Sequence, residues 1–320
     1  MNITIPYYED NTRLSNSALG WFINNGPSYF HARMSGQIKE EETSAMSRGT
    51  TIHMYLLQPE EFQKTYKVWT GNKPKSINQI TFCAALAKTL EIEPNKALIT
   101  AYRTAYSTTN LSDEQILSRA SEMANTLSEW IDYLKGDQYE TISIADVKKL
   151  DVIKTNCMEH KLASKLLNPI DGELHHEFHI NWEYDDIPCK SLLDSVHFDF
   201  ENKICTLVDL KTTAKIGHFE DSIEQYDYFR QLEFYKMALE WYLRNERNEN
   251  PETWVFHSYI IAIDTVNSNE IRVFKIPENL LLTRELIVKT FYEIDWHIKN
   301  NKWSHHREYY EGDGAETLKL

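Results

Sequence analysis

The segment Leu207-Val208-Asp209-Leu210-Lys211-Thr212-Thr213 constrains this chain more than any other. It closes an apolar run that begins at Ile204, the pattern of a buried β-strand, and it ends in charge. Side chains alternate across a strand, so Asp209 and Lys211 point the same way. Upstream, Ser191-Leu192-Leu193-Asp194 supplies another acid. An acid on one strand and an acid-x-lysine at the end of the next is the layout of a metal-dependent phosphodiesterase site. The two carboxylates would hold Mg²⁺ and the lysine would stand beside the attacking water. A solvated salt bridge at a strand end accounts equally well for Asp-Leu-Lys alone, so the rest of the chain has to decide.

The 320 residues allow one large domain or two small ones, with ample material for a core. With 42% hydrophobic and 26% charged residues, the composition is that of an ordinary globular protein. No apolar run approaches the length of a membrane span, so no membrane partner is expected. Met1 to Pro6 lacks a basic segment followed by an apolar one, which argues against a signal peptide. Cys83, Cys157, Cys189 and Cys205 are scattered without a CxxC pair. That argues against a disulfide framework, a zinc ribbon and an iron–sulfur cluster, and fits a reducing cytoplasm. The formal net charge of −14 argues against a surface coated for DNA binding, while leaving room for a local groove.

Ser15 or Asn16 can cap a short helix carrying Leu19, Phe22 and Ile23, which Gly26-Pro27 stops before a second helix begins. In Ser44 to Pro59, Met46, Gly49, His53 and Leu56/Leu57 recur at helical spacing. Gly49 and His53 share a face, and a small residue one turn before a histidine leaves room for a close approach. A packed core histidine is the alternative reading. Helices are predicted over 81–92, 112–134 and 143–167, the second with an apolar stripe from Ile116 to Ile131.

From residue 174 the pattern turns to strands. Leu174, His176, Phe178, Ile180 and Trp182 are predicted on one face, with His175, Glu177, His179 and Asn181 on the other. Strands over 187–200 and 203–213 follow, so that a meander presents Glu177, Asp194, Asp209 and Lys211. A long amphipathic helix is predicted over 222–246, with Gln231 and Tyr235 one turn apart. An apolar strand, an edge strand and a closing helix complete the order. His175, His176 and His179 suggest zinc, but a fourth ligand is missing.

This order resembles the core of the PD-(D/E)xK nucleases, an α/β, restriction-endonuclease-like fold with a mixed central sheet flanked by helices, here with an N-terminal helical region. The resemblance is nearest to the nuclease domain of RecE-type exonuclease VIII. It rests on Asp194, on Val208-Asp209-Leu210-Lys211-Thr212-Thr213-Ala214, on Tyr226-Asp227-Tyr228 leading to Gln231 and Tyr235, and on Trp254-Val255-Phe256. Ser15-Asn16-Ser17-x-Leu19, Pro27-x-Tyr29, Gly49-x-x-x-His53 and Pro59-x-x-Phe62 add to it. Residues near 70–135 are not covered and read as an insertion. Leu193 stands where many relatives have the proline of Pro-Asp.

The resemblance implies a Mg²⁺-dependent exonuclease, with Mn²⁺ as substitute, that degrades linear double-stranded DNA with free ends, commonly 5′→3′. It further implies a homo-oligomeric ring, trimer or tetramer, a single-strand annealing protein as partner, and a bacterial or phage source. Asp194 and Asp209 would be metal ligands, the Leu210 carbonyl would complete the shell, and Lys211 would orient the water. His53 and Glu177 would serve a second metal position or the water network, and Gln231 and Tyr235 would position the phosphate or brace the lysine. An endonuclease of the same superfamily, or an inactive DNA-binding or assembly subunit, are the alternatives. One domain is expected over 1–308, mostly helical to 167 and with the catalytic sheet and helices over 168–300, followed by a disordered tail over 309–320.

Overall fold

The computed structural model describes residues 7–39, 43–89, 93–107, 110–136, 139–280 and 283–315. Its residues group into two compact units, Met1–Pro59 with Leu150–Leu320, and Glu60–Lys149.

The first unit opens with α1 (Asn16–Met34), whose N-cap Ser15 accepts the Ala18 amide at 3.2 Å. Gly26 kinks it at φ +80°, a conformation that suits glycine, and Pro27 restarts the helix where its missing N–H costs nothing. Helix α2 (Ser44–Leu57) carries Gly49 and His53.

The chain then passes through α3 (Pro59–Thr65) into the second unit, which holds β1 (Tyr66–Trp69), α4 (Ile77–Ala87), α5 (Pro94–Ala105), α6 (Asp113–Thr126), α7 (Ser128–Lys135) and β2 (Glu140–Ser143). Strands β1 and β2 pair in parallel, a contact between distant segments that no local pattern announces. The helices close on Phe82, Cys83, Tyr102, Ile116, Ala120 and Ile131. The run expected as one helix over 112–134 is two, broken at Leu127, although its apolar stripe still faces one core. The helix expected over 81–92 starts and ends earlier, and residues 90–92 lie outside the described residues.

Helices α8 (Ile144–Glu159) and α9 (Ala163–Leu167) replace the single helix expected over 143–167. Three antiparallel strands follow: β3 (Glu173–Tyr184), β4 (Ile187–Asp199) and β5 (Ile204–Thr213). Helices α10 (Phe219–Gln225) and α11 (Tyr228–Asn245) cross over to β6 (Val255–Asp264), parallel to β5, and β7 (Ile271–Ile276) adds an antiparallel edge. The mixed five-stranded sheet therefore has the order β3-β4-β5-β6-β7. The helix predicted over 222–246 is interrupted by Asp227, which takes a left-handed backbone at φ +52° and pairs with Arg230 at 2.9 Å. Helix α12 (Arg284–Asn300) closes the unit. Residues 309–311, expected in a disordered tail, belong instead to α13 (Arg307–Glu311), held where Trp296 Nε1 donates to Glu311 at 3.0 Å. Residues 316–320 lie outside the described residues. Among the described residues, no helix is long and apolar enough to cross a membrane.

One feature of the sheet positions the candidate site. Strands β4 and β5 pair only from Ser195↔Val208 to Asp199↔Ile204. Beyond Ser195, β4 stays with β3, and beyond Val208, β5 stays with β6. The sheet forks there, and the first residues past the split are Asp194 and Asp209. Leu14 enters the fork, donating to Pro188 O and accepting from the Lys190 amide, each at 2.8 Å.

The core on the α11 side of the sheet is aromatic. Trp182 is fully buried, donates to Ser191 Oγ at 3.0 Å, and meets Phe234 and Phe291 at 5.1 and 6.1 Å between ring centroids. Trp182→Ala should cost about 3–5 kcal/mol by leaving a large cavity, and Trp182→Phe clearly less. Urea unfolding of the three proteins checks this, and equal midpoints would contradict it.

Candidate active site

Past the split, Asp194 is held from both sides. Its Oδ2 accepts the Leu210 amide at 2.6 Å, and its Oδ1 lies 3.6 Å from His53 Nδ1. Burial pushes the Asp194 carboxyl up, but His53, Lys211 and the Leu210 amide together hold it below its usual value. Asp209, 2% exposed, has its Oδ2 2.7 Å from Lys211 Nζ, while its Oδ1 accepts Gln231 Nε2 at 3.1 Å. Burial pushes Asp209 up to about 6 against the pull of Lys211, with Asp194 adding to the push. For Lys211, burial works against the charge, and the two acids overcome it, so its ammonium is held above the usual value.

Helix α11 supports this end of the sheet. Gln231 also donates to Tyr235 Oη at 3.0 Å, so one amide bridges the tyrosine and Asp209. The alternating residues pin the strand from the opposite side: Val208 and Leu210 are 1% and 0% exposed. The Leu210 amide is engaged with Asp194, and the residue lines the cavity.

Glu177 shows where the strand alternation fails. The pairs His176↔Ser195 and Phe178↔Leu193 flank it, placing it opposite Asp194, yet its backbone is left-handed at φ +49°. Like charges directly opposite are destabilising, and such a backbone is uncommon outside glycine, Asn and Asp. As a result His175 does not share a face with Glu177 and His179 as expected. It stacks on Phe178 at 4.4 Å and hydrogen-bonds Glu173 at 2.7 Å. Burial, then Asp194, pushes the Glu177 carboxyl up to about 7.

On the facing helix, burial opposes protonation of His53, but Asp194 outweighs it and raises the imidazole's pKa. A Cβ at Gly49 would stand 3.3 Å from Thr212 Oγ1, so the small residue one turn before His53 admits the end of β5. The structure thus gathers His53, Glu177, Asp194, Asp209, Leu210, Lys211, Gln231 and Tyr235 at the fork. Tyr228, with Lys211 Nζ 4.9 Å from its ring centroid, entered the sequence reading only as part of a motif and without a role, and Tyr8, on the cavity wall, was not singled out by sequence. Tyr8 has no periodic signal, since it lies in an irregular segment.

The donor set fits a hard divalent cation. Ligand atoms of His53, Glu177 and Asp194 lie within 4.8 Å of one another. Burial raises the carboxyls of Glu177 and Asp209, and Asp194 adds to the push on both, so a bound cation would offset charge that the Lys211 ammonium beside Asp209 does not fully balance. Carboxylate oxygens with one imidazole suit Mg²⁺ or Mn²⁺ better than a soft metal.

A model of the PDDEXK-like domain of unknown function DUF3799 matches residues 15–309. The chain belongs to this PDDEXK-like family. Its fold, a mixed sheet between helices, is the restriction-endonuclease-like core that the sequence resembles. Among solved structures it is similar to the crystal structure of a "Putative exonuclease" from Eubacterium rectale, over 100% of this chain and 96% of that one, at 14% identity and a TM-score of 0.51. That likeness shows a shared fold. The structure of SSO0001, 10% identical over 75% of this chain and 85% of that one, has a TM-score of 0.22 and carries no argument. No curated protein matches the sequence.

Manganese at about a hundred times its dissociation constant should stabilise the wild type by about 2.7 kcal/mol, and Asp194→Asn should cancel most of that gain. Thermal unfolding with and without MnCl₂ checks it. An equal rise in both proteins would place the cation elsewhere.

Proposed function

We propose that this protein is a divalent-metal-dependent deoxyribonuclease that hydrolyses phosphodiester bonds of linear double-stranded DNA from its ends. The observation that carries the reading is the meeting, at one fork in the sheet, of Asp194, Asp209 and Lys211 with His53 and Glu177 beside them. The family supports it, since the PDDEXK-like description covers nearly the whole chain. The neighbour from Eubacterium rectale carries the description "Putative exonuclease", which leads us to prefer cutting from ends over internal cutting.

In this reading Asp194 and Asp209, with Glu177 and His53 at hand, would hold Mg²⁺ or Mn²⁺, with the Leu210 carbonyl as a further ligand that the resemblance implies. The bound cation would lower the pKa of a water and offset charge on the phosphate. Lys211 would orient the attacking water and stabilise the charge that develops on the phosphoryl oxygens. Its position is fixed by Asp209, which is in turn fixed by Gln231 and Tyr235. Tyr228 closes one side of the ammonium, leaving fewer positions open to it. From the RecE-type resemblance follow Mg²⁺ as the working ion, 5′→3′ polarity, a ring-shaped trimer or tetramer, a single-strand annealing partner, and work in recombination or phage DNA metabolism in a bacterial cytoplasm.

End-labelled linear duplex and a covalently closed circle, each with Mg²⁺, separate the possibilities. Wild type should shorten the linear substrate stepwise and spare the circle, and Lys211→Ala should lower the rate by about 10²–10³-fold, the scale of losing one transition-state donor. Cutting of the circle would favour an endonuclease. DNA binding without cleavage in Mg²⁺ or Mn²⁺ would favour an inactive subunit.

A further inference from the structure

The mouth of the cavity carries a feature that the chemistry at the fork does not use. Tyr8 is 83% exposed, yet it lines the same cavity as Glu177, His53 and Lys211. An aromatic ring normally buries its faces, so one held out in solvent beside a charged centre calls for a partner. The ring does not dangle from a loose end. Lys190, 6% exposed, donates from Nζ to Tyr7 O and to Asp10 O, both at 2.5 Å. Burying a lysine is costly, and this one spends its donors on two backbone carbonyls of the segment that presents Tyr8.

Further contacts fix the segment. The Lys190 ammonium stands 4.6 Å from the centroid of the Tyr7 ring. Tyr7 meets Tyr8 edge-on at 5.2 Å and His179 edge-on at 5.3 Å. Asp10 accepts the Thr12 amide at 2.9 Å, and Leu14 is bonded into the fork. The rest of the wall is mixed. Met46, 43% exposed, Met54 and Leu192 give an apolar side, while Glu177, Lys211 and Thr212 give a polar one. The cavity encloses about 640 Å³, within the range of small-ligand sites.

We propose that Tyr8 is a stacking platform for the nucleobase next to the phosphate held at the fork, so that the strand being cut enters as a single strand peeled from its complement. This rests on the nuclease reading of the same site. A nucleotide has the two surfaces that the cavity offers partners for: a flat apolar base and an anionic phosphate. Aromatic platforms accept any base, which suits an enzyme that must pass along arbitrary sequence. A paired base could not lay its face on Tyr8 without leaving its own stack, so a duplex end must fray before it is cut.

The test uses short single-stranded DNA carrying 2-aminopurine at each position in turn, with Ca²⁺ in place of Mg²⁺, and wild type, Tyr8→Phe and Tyr8→Ala as full chains. Stacking quenches the fluorescence at the position that meets the ring. Wild type and Tyr8→Phe should bind and quench at one position, whereas Tyr8→Ala should lose the quench and about ten- to a hundredfold in affinity. All three should unfold at the same temperature, since the ring is exposed. Binding and quenching by Tyr8→Ala equal to wild type would overturn the platform and leave the nuclease standing, as would binding by wild type without any quench. Failure of wild type to bind DNA at all would overturn the nuclease reading and the platform with it.

Discussion

Everything at the candidate site depends on keeping two carboxylates side by side in a buried place. Asp194 and Asp209 are the first residues beyond the point where β4 and β5 part. Burial disfavours the charged form of both, and Asp194 makes the charge on Asp209 harder to hold. The fold meets this with donors rather than with solvent: the Leu210 amide and His53 for Asp194, Lys211 and Gln231 for Asp209. The compensation is incomplete, and the incompleteness is informative. Asp209 stays raised to about 6 and Glu177 to about 7, and perturbed carboxyls gathered in one place mark a candidate functional site.

The period of the strand makes the arrangement possible. In Asp-Leu-Lys, the outer two side chains turn into the site and the middle one turns away into the core, where Leu210 is fully buried. A strand end would otherwise fray, and charged residues on a fraying end could not hold fixed geometry. Here the same three residues supply both the chemistry and the anchor. Gly49 extends the logic to α2, because a Cβ there would stand 3.3 Å from Thr212 Oγ1 and press the helix that carries His53 against the end of β5.

Much of this was legible in the sequence, for a physical reason: strands and helices have fixed periods, and Asp209/Lys211, Gly49/His53 and Gln231/Tyr235 are all pairs at those periods. What escaped were departures from regular backbone. Glu177 reads as one more alternating residue, and its left-handed turn, which moves His175 away from its predicted face, leaves no mark in the pattern. Asp227 interrupts a helix whose apolar spacing runs on undisturbed, and Leu127 does the same. The pairing of β1 with β2 joins segments far apart in sequence. The Tyr7–Asp10 segment owes its place to Lys190, which is buried and donates to two of the segment's backbone carbonyls.

A net charge of −14 sits uneasily with a polyanionic substrate, and the resolution lies in distance. Residues 60–149 are nearly balanced, with eleven Lys and Arg against twelve Asp and Glu, so the acidic excess belongs to the segments that carry the fork. At physiological ionic strength, charges more than about 8 Å away are largely screened. A DNA strand at the cavity would therefore respond to what lines it, not to the whole surface. In the proposed function the acids there would draw in the cation, and a cation held by Asp194 and Glu177 would turn the local field toward phosphate. An acidic surface around such a site weakens binding wherever no metal intervenes. On this argument the negative total does not oppose the proposed activity; it would confine the attraction for DNA to the place where a cation is held.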